Sequence, residues 1–236
     1  VPPEPQILLS HPQILLHSPI SIDKSAFWDC SGLTEITVDR GNPYYSSLDG
    51  VLFDWHQIRL ICCPGGWSGF YTVPRTVVGI GEFAFSGCSN LTSVAIPASV
   101  TRIENWAFSR CTSLNSMYCS GNAPSIDGNA FDDADNVTVY YLPGTTGWGT
   151  TFASRPTALW LPQVLAGDAS FGVRTNQFGF DIAWASGQTV VVEACTGLTD
   201  GTWVPLQTNT LAGDSLYFSD SDWADHPARF YRIRSP

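Results

Sequence analysis

The sequence predicts an all-β chain in two parts, a parallel β-solenoid with short helical or irregular turns followed by a small antiparallel β-sandwich. Three observations carry this. An Ala-Phe pair recurs at Ala84-Phe85, Ala107-Phe108 and Ala130-Phe131, a period of 23 residues. Short runs of near-alternating apolar side chains lie between these pairs, each followed by turn residues. Beyond Pro162 the repeat stops, and strand-like runs alternate with Gly, Asn and Asp. A unit of this length cannot bury its own apolar face, whereas stacked units share a continuous core, so a fixed period of this kind means a solenoid.

Residues 1–19 form an N-terminal extended segment or cap. The stretch PQILLSHPQILLHSP, Pro5 to Pro19, carries the pentad PQILL twice, seven residues apart. Pro5, Pro12 and Pro19 argue against a continuous helix, and proline is tolerated at strand edges and strand starts. The apolar side chains Ile7, Leu8, Leu9, Ile14, Leu15 and Leu16 are therefore candidate partner or assembly contacts. They either cover Ile22 and Phe27 at the end of their own solenoid or complete the edge of a neighbouring copy.

Residues 20–142 hold the repeats. LTEITV, LTSVAI and NVTVYY read as strands, and Pro97, Pro124 and Pro143 mark turns. A further copy with Ala26-Phe27 and Cys30 precedes Ala84 by 58 residues, which makes residues 39–72 an expanded unit. Residues 143–161, dense in Gly, Thr, Pro and Trp, read as a cap and linker. Residues 162–236 then offer the runs FGVRT, GFDIAWA, QTVVVEAC, TWVPLQTN, SLYFSD and RFYRIRSP, whose spacing suits an Ig-like sandwich.

The segment IPASVTRIENWAFSRCTSLNSM, Ile96 to Met117, resembles the BspA-type leucine-rich repeat, with its Ile-Pro strand end, Val-x-x-Ile segment, Ala-Phe pair, Cys and Leu. The stretch Gly41 to Phe85 resembles that family's expanded repeat. The last unit departs from the pattern, with Ala134 where Cys is expected, and the first lacks the Ile-Pro end, as suits terminal units that cap. The resemblance implies a leucine-rich-repeat solenoid and a bacterial surface or secreted protein engaged in adhesion, host-protein binding or co-aggregation. Residues 162–236 resemble the C-terminal β-sandwich modules of secreted bacterial proteins.

Charge excludes several function classes. The net charge is -10, with 11 Lys and Arg against 21 Asp and Glu, and Lys24 is the single lysine. Nucleic-acid binding needs concentrated positive charge, so no nucleic-acid partner is expected. No apolar run reaches the roughly 20 residues of a membrane helix, so membrane insertion is not expected either. No basic-then-apolar leader is present, and a mature extracellular or cell-surface form with its signal peptide removed is the expectation.

Chemistry-bearing constellations are sparse. His11, His17, His56 and His226 form no zinc-protease motif, and no nucleophile elbow occurs, so the chain reads as a non-enzyme with no catalytic, cofactor or metal residues. Cys30, Cys88 and Cys111 share one repeat position, where a small apolar thiol suits a stacked layer. Asp127, Asp132, Asp133 and Asp135, and separately Asp220, Asp222 and Asp225, are weak calcium candidates that read more simply as solvated turns. Asn90 and Asn136 head glycosylation sequons. Trp67, Trp148, Trp203 and Trp223 are either core aromatics or sugar-stacking platforms. The expected function is a non-catalytic structural or adhesion protein whose partners are other proteins, including copies of itself in extracellular filaments. The alternative is a carbohydrate-binding surface module.

Overall fold

The computed structural model describes residues 13–17, 21–28, 30–167, 169–199 and 201–236. The chain divides into two compact units, Val1–Leu159 and Trp160–Pro236. The first unit contains β1 (Gln13–Leu16), β2 (Glu35–Val38), β3 (Tyr45–Leu48), β4 (Val51–Asp54), β5 (Arg59–Cys62), β6 (Ser68–Thr72), β7 (Gly79–Ile80), β8 (Asn90–Ile96), β9 (Arg102–Ile103), β10 (Ser116–Cys119), β11 (Ser125–Ile126), β12 (Thr138–Tyr141), β13 (Thr151–Phe152) and β14 (Arg155–Leu159).

This unit is the parallel solenoid that the period predicts. β6, β8, β10, β12 and β14 form one parallel sheet, and the two-residue β13 folds back antiparallel on β14 at its end. β7, β9 and β11 form a second, narrow parallel sheet. The core lies between them. Phe85, Phe108 and Phe131 stack along the solenoid with centroids 4.9 and 5.5 Å apart and ring planes 8° and 14° from parallel. Ala84, Ala107 and Ala130 are fully buried beside them. Their small side chains let successive coils meet closely enough for the Phe85 amide to donate to Ala107 O at 2.7 Å and the Phe108 amide to Ala130 O at 2.8 Å.

The same bond locates a coil that the Ala-Phe motif does not mark. The Cys63 amide donates to Ala84 O at 2.7 Å, so Cys62-Cys63 stands where the other coils have Ala-Phe. The chain before it leaves the coil path as an antiparallel β3–β4–β5 meander that rejoins the narrow sheet by pairing β5 with β7. The turns after the Ala-Phe pairs are irregular, and the first unit has no helix among its described residues. A left-handed residue recurs in each coil, at Gly87 (φ 76°), Arg110 (φ 58°) and Asp133 (φ 55°), and interrupts any helical run.

At the N-terminal end, β1 pairs parallel with β2, from Gln13 opposite Glu35 to Leu16 opposite Val38. Ile14, Leu16 and Ile22 pack on a cluster that includes Phe27, Leu33, Ile36 and Val38. The far side of β2 is taken by the expanded unit, with the Ile36 amide donating to Gly50 O at 2.8 Å and the Val38 amide to Ser47 Oγ at 3.0 Å.

The second unit contains β15 (Gln163–Leu165), β16 (Gly172–Arg174), β17 (Gln177–Ala183), β18 (Thr189–Cys195), β19 (Val204–Thr210), β20 (Ser215–Asp220) and β21 (Phe230–Arg234). They form two antiparallel sheets. In one, β17 pairs with β15, β16 and β20; in the other, β18 lies between β19 and β21. Phe178 of the first sheet stacks on Tyr231 of the second at 4.9 Å, as the facing layers of a β-sandwich do. On the outer side of β18, Glu193 is only 4% exposed and takes hydrogen bonds from Arg232 Nε (2.6 Å) and Arg234 Nε (2.9 Å).

Those bonds, Arg232 first and Arg234 second, hold the Glu193 carboxyl below its usual range. A carboxyl more acidic in the folded chain than in the unfolded one adds stability above the unfolded pKa, about 4.3 for Glu. That stability is lost as pH falls through the lower folded value. Glu193→Gln is therefore expected to flatten the acid limb, with the wild-type Tm falling more steeply than the variant's below about pH 4. Parallel slopes in a thermal-unfolding pH series would contradict the assignment.

Candidate protein-binding face

Alternation within the wide sheet sends Tyr71, Val94, Met117 and Val139 into the core and their neighbours outward. Register lines the outward side chains up across the strands. One row runs Phe70, Ser93, Ser116, Thr138, and the next runs Thr72, Ala95, Tyr118, Tyr140, Ala158. Neither row contains a charged side chain. Phe70 is 51% exposed at one end. Tyr118 and Tyr140 stack on each other with centroids 5.2 Å apart and planes 19° from parallel, a spacing set by the distance between adjacent strands.

Charge is gathered elsewhere, in ion pairs that run from one coil to another. Lys24 meets Glu82 at 2.6 Å, Arg59 meets Glu104 at 2.6 Å, Arg102 meets Asp127 at 2.5 Å and Arg155 meets Asp135 at 2.9 Å. Asp127 and Asp135 have arginine partners and remain solvated, their side chains 42% and 79% exposed. Asp220 departs from that expectation: it is 7% exposed, paired with Arg229 at 2.9 Å. Among the described residues no group of three or more His, Cys, Asp or Glu is placed to hold a metal ion.

Five of the seven cysteines line the solenoid interior. Cys62, Cys63, Cys88, Cys111 and Cys119 are buried free thiols. Burial pushes the thiols of Cys62, Cys63, Cys111 and Cys119 up, so they stay neutral. The shared repeat position also has a polar task. Cys88 Sγ donates to Pro64 O at 3.5 Å and Cys111 Sγ to Phe85 O at 3.0 Å, which satisfies carbonyls of the preceding coil. Ala134 has no such donor and ends the thiol series; one coil further on, Arg155 Nη2 donates to Phe131 O at 2.7 Å. Residue type alone suggests the packing role; the donor role needs the stacking of coils.

The tryptophans singled out from sequence have packing roles. Trp67 meets Tyr71 edge-on, Trp148 stacks on Tyr141, Arg232 lies over Trp203, and Trp223 donates to Asn176 O. His56 is exposed in the first unit and His226 half-buried in the second. Of the N-terminal candidates, Ile14 and Leu16 are half-buried, Leu15 is 52% exposed, and Ile7, Leu8 and Leu9 lie outside the described residues. The uncharged strand face was missed by motif reasoning. Its signal is the outward half of each strand pattern, legible only once the strands are in register.

Residues 70–150 match the family model of the BspA type leucine-rich repeat region, in 6 copies. No curated protein matches the chain. Among solved structures, a leucine-rich repeat protein from Eubacterium ventriosum is similar at 21% identity and a TM-score of 0.50, over 56% of this chain and 37% of that one. Pneumococcal vaccine antigen PcpA is similar at 17% identity and 0.42, over 55% and 38%. A leucine-rich cell surface protein from Faecalibacterium prausnitzii is similar at 23% identity and 0.40, over 56% and 42%. The chain spans about two-fifths of the length of these structures. Residues 70–150 are a BspA-type leucine-rich repeat region.

Proposed function

We propose that this chain is a non-catalytic protein-binding module, displayed outside a bacterial cell, that grips its partner with the uncharged strand face. The observation that carries this is the composition of that face, in which tyrosine and small hydroxyl residues meet with no charge among them. Tyrosine gives large, rigid contact area at low entropic cost, and Ser and Thr give adaptable hydrogen bonds, the chemistry that protein-binding loops use. Sugar recognition would need open ring faces. Tyr118 and Tyr140 spend facing surfaces on each other, which favours a protein partner over a glycan. The family of the repeat supports a location at the cell surface or beyond it.

The test is surface plasmon resonance of the full chain against purified extracellular proteins, beside an array of neutral and acidic polysaccharides. Binding to at least one protein is expected. Replacing both Tyr118 and Tyr140 with alanine is expected to weaken it at least tenfold, the cost of losing central aromatic anchors. Because the face is uncharged, affinity should change less than about threefold between low and physiological salt. Polysaccharide binding that survives the double substitution, with no protein bound, would overturn the reading. The narrower roles, adhesion and assembly into filaments through Ile7, Leu8, Leu9, Ile14, Leu15 and Leu16, remain proposals of the same kind; among the described residues, Leu15 alone of that set is a strongly exposed contact.

A further inference from the structure

We propose that the outer edge of β1 pairs with β1 of a second copy, antiparallel about a two-fold axis through Leu15, and closes a dimer. The proposal starts from where the β1 backbone points. In a parallel pair the N–H and C=O of one residue face the same neighbour, and alternate residues face opposite neighbours. Leu16 O accepts the Asp39 amide beyond the end of β2 at 3.0 Å, so Ile14 and Leu16 direct their backbone groups to β2. Gln13, Leu15 and His17 direct theirs to the other side, where β1 is the last strand of its sheet among the described residues.

The side chains are self-complementary in that register. Gln13-Ile14-Leu15-Leu16-His17 reads polar, apolar, apolar, apolar, polar, the same in both directions about Leu15. A two-fold axis perpendicular to the sheet, passing through Leu15, sets Leu15 opposite its own copy and exchanges both backbone hydrogen bonds between them. It sets Ile14 opposite Leu16 of the second copy on the face that already covers Phe27 and Ile36, so the apolar layer continues without a break. It also covers Leu15, now 52% exposed. Gln13 and His17 meet at either end. Pro12 and Pro19 flank the stretch in the sequence. The contact uses the same patch on both copies, so it closes at two and does not propagate.

So short an edge falls in the small, weak class of interfaces, and association in the range of about 10–500 µM is expected. The test is light scattering on the full chain across that range. The expected result is a weight-average mass that rises from monomer toward dimer and no further. Leu15→Lys sets two like charges opposite each other and is expected to leave the chain monomeric, with an unchanged Tm because Leu15 is exposed. Leu8→Lys serves as the control and is expected to dimerise as the parent does. A full chain monomeric at the highest concentration overturns the proposal, as does growth past the dimer. Association that survives Leu15→Lys, or that Leu8→Lys abolishes, overturns it too.

Discussion

Replacing Phe108 with alanine is expected to cost about 3–5 kcal/mol, the range for emptying a large aromatic from a packed core. In a protein of this size that lowers Tm by roughly 6–20 °C. Phe108 has rings on both sides, Phe85 at 4.9 Å and Phe131 at 5.5 Å, and is fully buried. Its removal therefore takes transfer energy, two aromatic contacts and the packing of two coil interfaces together. The neighbouring coils cannot collapse into the space, because the amides of Phe85 and Phe108 bind the flanking carbonyls of Ala107 and Ala130. Phe108→Leu keeps most of the volume and is expected to cost less than half as much. Urea denaturation followed by near-ultraviolet circular dichroism measures both. Equal losses for Ala and Leu would show that volume is not what the position needs.

Asp220→Ala is expected to cost a further class of energy in the second unit, about 3–5 kcal/mol, because it strands a buried cation. Arg229 Nε lies 2.9 Å from Asp220 Oδ2, with side chains 11% and 6% exposed. The same oxygen accepts the Tyr231 hydroxyl at 2.9 Å, and Oδ1 accepts the Asp222 amide at 2.9 Å. Removing the carboxylate leaves guanidinium, hydroxyl and amide without their acceptor. Asp222→Ala, at an exposed neighbour, is expected to stay within about 0.5 kcal/mol. Comparable losses for the two variants, read from chemical denaturation, would dismiss the buried pair as the cause.

The repeating part of the fold was legible because the period recurs in large, specific residues. Ala84-Phe85, Ala107-Phe108 and Ala130-Phe131 each occupy one stacked layer. The coil at Cys62-Cys63 escaped because its layer is defined by a backbone bond to Ala84 O, and sequence pattern does not display backbone bonds. The irregular turns were legible only in part, since the left-handed backbone at Arg110 and Asp133 leaves no mark in side-chain type. Sandwich strands were visible as runs, but the partners of Asp220 and Glu193 lie on another strand or past a turn, where only pairing brings them together. The strand face carries no motif at all. It is built from residues whose individual types are ordinary surface types, and it becomes a surface only when five strands align.

The reversal at β13 gives the solenoid a direction. At that end the chain turns back over two residues, with Pro156 opposite Thr151. A rim only two residues long is a poor template for another strand. Among the described residues the opposite end finishes in β1, which runs parallel to its neighbour. The two ends of the solenoid are therefore unequal: one is a folded-back rim two residues long, the other a full strand edge four residues long.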